Sequence, residues 1–391
     1  MKVPKIRFKG FEGAWRKRKL GDSVLLNRYK QISAEELQKL NEYHWDIALL
    51  PSSKNYDRKC NFYESLSNLI NNAEIITVWR ARNANTKYYK WKFIASQNHI
   101  IESFNNNEVN TKFLYLFILQ HDKEFYSAES TYPMFTKQDF NDINLYYPNK
   151  LEQEKIWFLF EQLNSQITKN QQKLEKLKNM KQSFLQKLFP KDWSALPELR
   201  FKGFEGAWEE RKLGEIWSIL TWSTPSTSIK NNYSENWMLR VTPTDIKNNT
   251  IKETAKKLSF DWQQVARIVP KYSILVTCIA SIWKNTMLLA EWSFNQQINA
   301  LVPNPERTNS YFLLSESEIR SNKMKNRASS WTMQIVNKSE FSNISTFIPL
   351  LPEQEKIWAF FEKLDTQITQ QTQKIQKLQN LKQSLLEKMF I

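Results

Sequence analysis

The chain has 391 residues, too many for one ordinary domain, and its 41% apolar content suffices for packed cores, which excludes a disordered tail. Its 56 Lys+Arg against 40 Asp+Glu leave a net charge of +16. Such a surplus favours a polyanionic partner, because lysine and arginine gain affinity by releasing counterions from phosphates. The two cysteines, Cys60 and Cys278, exclude a disulfide framework or a cysteine zinc site and suit a reducing compartment.

In chain order, the opening MKVPKIRFKGFEG lacks the apolar stretch of a signal peptide. The longest apolar runs, such as 113–119, fall far short of the ~20 residues that span a bilayer. A cytoplasmic protein with no membrane partner is expected. Residues 5–22, KIRFKGFEGAWRKRKLGD, return at 198–215 as ELRFKGFEGAWEERKLGE. Helices are expected over 34–43 and 111–121, and strands with a basic loop over 74–101. Within that segment Arg80, Arg82, Lys87, Lys90 and Lys92 interleave with Asn83, Asn85 and Tyr88. Arginine and lysine serve phosphates and guanine edges and asparagine can read adenine, so these residues form a first candidate DNA-contacting set; the plainer alternative is a solvated basic loop.

Residues 151–189, opening LEQEKIWFLF, return at 352–390, opening PEQEKIWAFF, and Lys137, Phe140 and Pro148 return at the same offset as Lys338, Phe341 and Pro349. The chain is therefore a tandem duplication. The stretches 23–130 and 216–330 between the matched blocks are similar in length and share little sequence. The second reads as a strand series over 272–303, and its candidate DNA-contacting residues are Lys284, Asn285, Asn295, Gln296, Gln297, Lys323, Lys325 and Arg327.

Each copy of the long block carries a heptad seam: Ile156, Phe160, Leu163, Ile167, Leu174, Leu177, Phe184 and Leu188, then Ile357, Phe361, Leu364, Ile368, Ile375, Leu378, Leu385 and Met389. Asn170 with Lys181, and Gln371 with Lys382, fill the remaining seam positions at matching heights. Apolar residues every 3.5 positions need a partner helix, and buried polar positions specify register. The simplest arrangement pairs the two helices within the chain, antiparallel; a coiled coil with another chain is the alternative. A helix of this length spans about 55 Å, more than the about 34 Å of one DNA turn, so it can act as a ruler between two domains.

The expected fold is α+β with an internal pseudo-twofold duplication: two target-reading domains, 1–148 and 191–348, joined by two long antiparallel coiled-coil helices, 149–190 and 349–391. No catalytic or metal-binding residue is identified. Neither a G-x-G-x-x-G loop nor a Walker loop occurs, the Asn-Pro-Pro-aromatic signature of adenine methyltransferases is absent, and His44, His99 and His121 are scattered through one half.

Two divergent domains, each followed by a near-identical long helix, resemble the specificity subunit of type I restriction-modification enzymes. The resemblance rests on FKGFEGAWEERKLGE at 201–215, STPST at 223–227, TPTDI at 242–246, FNQQINALVP at 294–303 and PLLPEQEKI at 349–357, and covers almost the whole chain. It implies that each middle reads one half of a bipartite, asymmetric site in double-stranded DNA. It further implies that the helices set the spacing and dock two methyltransferase subunits, that restriction and motor subunits join for cleavage, and that S-adenosylmethionine, ATP and magnesium belong to those partners and not to this non-catalytic chain. A stand-alone coiled-coil DNA-binding regulator is the alternative.

One departure from the family pattern concerns tryptophan. The chain has 15 Trp and only 6 Gly. Trp157, Trp222, Trp283, Trp292, Trp331 and Trp358 stand where the family carries glycine, and Trp45, Trp79 and Trp91 look similar, whereas Trp15 and Trp208 match the family. An indole where a turn needs positive φ costs stability. The expectation is a stop codon that the host decodes as glycine, which would make 13 of the 15 Trp, all but Trp15 and Trp208, glycine in the native protein; base-stacking aromatics are the alternative. The mass of that protein tests this reading.

Overall fold

The computed structural model describes residues 3–391 except 41–46, 52–58, 61–65, 80–84, 122–136, 192–193, 222–238, 248, 258, 260–266, 279–283, 296 and 328–337. The chain forms two compact units, Met1–Gln171 with Gln373–Ile391, and Gln172–Thr372. The division falls near the middle of each long helix, so each unit holds the start of one helix and the end of the other.

The first unit contains β1 (Arg16–Lys19), β2 (Val24–Leu26), β3 (Gln31–Ile32), α1 (Ala34–Lys39), β4 (Ile47–Leu50), β5 (Lys59–Cys60), β6 (Asn71–Trp79), β7 (Lys87–Ser96), β8 (Asn98–Ser103), α2 (Thr111–Gln120), α3 (Lys137–Asp142), β9 (Asn144–Tyr147) and the start of α4 (Lys150–Lys187). Local chemistry sets the helix starts. Ser33 and Glu36 form a reciprocal capping box at α1, and the Asn110 side chain caps α2 by accepting from the Phe113 amide at 2.7 Å. Phe113, Leu114, Leu116, Phe117 and Ile118 of α2 are all buried, so this helix is a core element rather than an amphipathic surface one. The main sheet runs β2-β8-β6-β7-β4-β5, with β3 also on β7. Neighbours from β2 to β7 pair antiparallel, and β4 joins β7 in parallel.

The second unit contains β10 (Glu209–Lys212), α5 (Leu213–Ile216), β11 (Ser218–Leu220), β12 (Leu239–Val241), β13 (Thr250–Ile251), β14 (Lys256–Lys257), β15 (Ile274–Thr277), β16 (Asn285–Leu288), β17 (Ser293–Phe294), β18 (Ile298–Val302), α6 (Ser310–Arg327), α7 (Lys338–Ser342), β19 (Ser345–Ile348) and the start of α8 (Leu351–Met389). Its main sheet runs β11-β18-β15-β16-β13, with three antiparallel pairings followed by a parallel one. That is the order and sense of β2-β8-β6-β7-β4. The β1–β9 ribbon likewise returns as β10–β19. The middles that share little sequence share a topology.

Both helices are continuous and pair antiparallel. In the first unit Ile156 and Phe160 of α4 share a core with Leu386 and Met389 of α8 and with Phe390. In the second unit Leu177 and Leu185 of α4 and the adjoining Leu188 and Phe189 pack with Ile357, Phe361 and Leu364. Ile156, Phe160, Leu163, Ile167, Leu177, Ile357, Phe361, Leu364 and Ile375 are buried, while Leu174, Ile368 and Leu378 are half-buried. Near the helix ends the stripe moves by one residue, burying Leu185 and Leu386 more deeply than Phe184 and Leu385. A 3.6-residue turn drifts against a strict 3.5-residue repeat in this way.

The polar seam positions are not equivalent. Lys181 Nζ lies 2.9 Å from Asp365 and 3.3 Å from Glu318. Burial alone would lower its pKa, but the two carboxylates outweigh burial and raise it. Lys382 has neither acid at the matching places, where Asn164 and Leu119 stand instead, and burial pushes its pKa down.

Among the described tryptophans Trp91 alone has a positive φ, while Trp217 and Trp292 are buried in the second unit. Trp15 packs edge-on against Phe113 and Phe390, and Trp208 packs on Phe312 and Phe189, the equivalent residues of the other unit. These duplicated clusters explain why Trp15 and Trp208 match. Trp91, by contrast, is 61% exposed within β7 and has φ 137°, a conformation that suits glycine. Trp91→Gly is therefore expected to stabilise the chain by about 1 kcal/mol, against the usual cost of glycine in a strand. A lower urea midpoint for the variant would refute this. Trp157 and Trp358 are half-buried against Tyr88 and Tyr311 respectively. Their indole N–H groups find no partner among the described residues, but neither do those of Trp15 and Trp208, so this feature does not divide the groups. Trp45, Trp222, Trp283 and Trp331 lie outside the described residues.

Candidate nucleic-acid interface

The sheet topology gives some members of the two candidate sets equivalent locations. Lys87, Tyr88, Lys90 and Lys92 lie on β7 of the β6–β7 hairpin, and Lys284 lies just before β16, at the tip end of the topologically equivalent β15–β16 hairpin. In both units the strand beside the hairpin begins at the tip end, since Asn98 pairs with Trp79 and Ile298 with Thr277. In the second unit this brings three candidates together. The Thr277 amide donates to the Lys284 carbonyl at 2.9 Å, and the Cys278 amide donates to the Gln297 carbonyl at 2.8 Å. Asn295 folds onto the same turn, its side-chain oxygen accepting from the Gln297 amide at 2.6 Å.

Not every candidate faces outward. On β7, Lys90 and Lys92 are exposed, Lys87 is half-buried and Asn85 occupies a left-handed turn position at φ 40°. Lys90 Nζ lies 3.6 Å from Glu74. Tyr88 turns towards α4: its hydroxyl donates to Glu74 at 2.7 Å and its ring lies 5.1 Å from that of Trp157. Burial, then the Glu74 carboxylate, push its phenol pKa up. Asn285 donates to the Ser317 carbonyl and the Ser321 hydroxyl of α6, so it ties the sheet to a helix. Lys323, Lys325 and Arg327 lie in the last turns of α6. Arg80, Arg82, Asn83 and Gln296, and the side chains of Lys323, Lys325 and Arg327, lie outside the described residues.

What holds each sheet to its helix was not foreseen from the sequence. Arg7 forks onto Glu152 at 2.7 and 2.8 Å and donates to the Gly13 carbonyl. Arg200 repeats this on Glu353 at 2.7 Å twice and on the Gly206 carbonyl. The glutamate hydrogen bond raises the pKa of both arginines. The closing carbonyls belong to glycines at φ 79° and 80°, so the turn needs glycine there. One residue beyond each glutamate, Gln153 donates to the carbonyls of Glu108 and Pro148 and accepts from the Asn110 amide, at 2.7, 2.9 and 2.9 Å. Gln354 does the same with Arg307, Pro349 and Asn309, at 3.0, 2.9 and 2.9 Å. Asn110 and Asn309 cap α2 and α6, so each glutamine links a long helix to the helix that backs its sheet. The signal was present in the repeat: Arg7, Glu152 and Gln153 all recur.

The same symmetry closes the helix ends. The Leu199 amide donates to the Lys187 carbonyl at the end of α4, and the Ile6 amide donates to the Lys388 carbonyl at the end of α8. Among the described residues no group of three or more His, Cys, Asp or Glu could hold a metal ion, and no helix is long and apolar enough to cross a membrane.

Known proteins share this architecture. The HindI type I restriction enzyme specificity subunit of Haemophilus influenzae is 24% identical over 347 residues, covering 69% of this chain and 75% of the relative. The S subunit of a type I restriction-modification system from M. genitalium superposes with a TM-score of 0.67 at 14% identity, covering 100% of this chain and 99% of that one. A chain from a solved type I restriction-modification assembly gives a TM-score of 0.58 at 17% identity, covering 97% and 98%. Residues 12–179 and 205–380 each match the type I restriction modification DNA specificity domain. With both halves matched, this chain belongs to the type I restriction-modification DNA specificity family.

Proposed function

We propose that this chain is the non-catalytic reading subunit of a cytoplasmic complex that methylates and cleaves DNA, each unit recognising one half of a bipartite, asymmetric site. The paired helices set the spacing between the half-sites and dock two methyltransferase subunits, with restriction and motor subunits joining for cleavage. S-adenosylmethionine, ATP and magnesium are then bound by those partners. The observation that carries this reading is the contrast within the duplication: the main-sheet strand order, the latches and the apolar helix seam recur in both units, while the residues on the equivalent hairpins differ. A frame kept twice around two different surfaces suits two different half-sites.

Methylation-aware sequencing of the host genome tests it. The expected result is a bipartite motif with N6-methyladenine in both halves. A genome without such a motif, together with footprinting by the purified chain alone, would favour the stand-alone regulator.

A further inference from the structure

The strand registers allow the two diverged sheets to be compared position by position. Trp79 pairs with Asn98 and Ile76 with Ile101, while Thr277 pairs with Ile298 and Ile274 with Leu301. Residues 76–79 and 97–101 therefore map onto 274–277 and 297–301 with no gap. Three residues recur at the mapped positions: Ile76 as Ile274, Val78 as Val276, and Gln97 as Gln297. The aliphatic pairs are buried, and packing accounts for them. Packing does not account for the glutamines, since Gln97 is exposed and Gln297 half-buried. Each stands immediately before the strand that begins at the tip end of its hairpin.

Gln97 also occupies the left-handed region, at φ 54°. Glycine and asparagine enter that region readily and glutamine seldom does, and such outliers cluster at functional sites. Of the other non-glycine residues there, Asn27 and Asn85 are asparagines and Trp91 stands where glycine is expected. Tyr272, at φ 72°, precedes β15 at the end away from the tip. The Gln97 carboxamide has no partner among the described residues, and that of Gln297 accepts from Asn295 Nδ2 at 3.4 Å. A residue kept at one place on two otherwise different surfaces suits a feature that two different half-sites share. A carboxamide is neutral and carries a donor beside an acceptor, which matches a base edge better than a phosphate. Its complement in the major groove is adenine, whose N6 donates to Oε1 while N7 accepts from Nε2. Adenine is also the base common to both half-sites in the function proposed above. We propose, resting on that function, that Gln97 and Gln297 each read an adenine of their own half-site, which adds Gln97 to the DNA-contacting set of the first unit.

The test uses the full chain in its methylating complex, once methylation mapping has identified the site. Gln97→Ala is expected to lower affinity for the cognate duplex about 5- to 150-fold and to relax the methylated motif at one adenine of one half-site. Gln297→Ala should do the same in the other half. An adenine analogue without the N7 nitrogen, placed at the relaxed position, should weaken binding by the wild type and not by the alanine variant. Gln97→Gly separates reading from folding: it should raise the urea midpoint of the chain by relieving the left-handed strain, yet lose recognition as Gln97→Ala does. A lower midpoint for Gln97→Gly would overturn the proposal by making the side chain structural. An unchanged motif in both alanine variants would overturn it too, as would a uniform loss of affinity across sequences, which would assign the glutamines to the phosphate backbone. A wild-type complex that methylates no bipartite motif would sink the functional reading itself, and this proposal with it.

Discussion

Glu152→Ala is expected to lower the unfolding free energy of the first unit by about 3–5 kcal/mol, far more than a surface substitution. The Glu152 side chain is 1% exposed and that of Arg7 13%. Removing the carboxylate leaves a largely buried guanidinium with the Gly13 carbonyl as its remaining hydrogen-bond acceptor among the described residues. Arg7→Met combined with Glu152→Leu should recover most of the loss, because a buried ion pair gains little over a well-packed apolar pair. Urea unfolding, with hydrogen exchange at the start of α4 to identify the affected unit, measures both variants. Glu353→Ala should produce the same loss in the second unit. A midpoint that hardly moves in either single variant would mean that the latch contributes no more than an exposed ion pair.

The frame was legible because its signals are periodic and local. The heptads of α4 and α8 placed the seam and its antiparallel pairing, and repetition alone identified the duplicated blocks. The common topology of the middles was not legible, because strand order depends on long-range pairings such as Ile76 with Ile101 and Ile274 with Leu301. Any alternation of apolar residues would satisfy those pairings. Side-chain direction was equally hidden. Tyr88 reads as part of a basic, aromatic segment, yet a phenol beside Glu74 and under α4 is anchored. Asn285 follows Lys284 directly, but strand alternation sends it to α6. The aromatic clusters were partly visible: Trp15 and Trp208 were matched, but Phe113 and Phe312 lie in regions without obvious alignment.

Exchanging the second reading sheet for that of another family member is expected to change one half-site and leave the other half and the spacing intact. The structure sets the limits of such a graft. Residues 216–330 include α6, whose Phe312 is fully buried among Phe189, Trp208 and Phe361 of the frame, and whose Glu318 pairs with Lys181. A donor without an aromatic at the Phe312 position would leave a cavity costing about 3–5 kcal/mol and would loosen the helix seam. Exchanging only 218–302, from β11 to β18, keeps α6, its Asn309 cap and the Gln354 latch. That narrower graft should fold as well as the parent and transfer the donor's half-site. Methylation mapping of a host carrying the graft reads the result directly. A change in both half-sites would show that the units do not read independently, and a changed spacer would show that the sheet, not the helix pair, sets the distance.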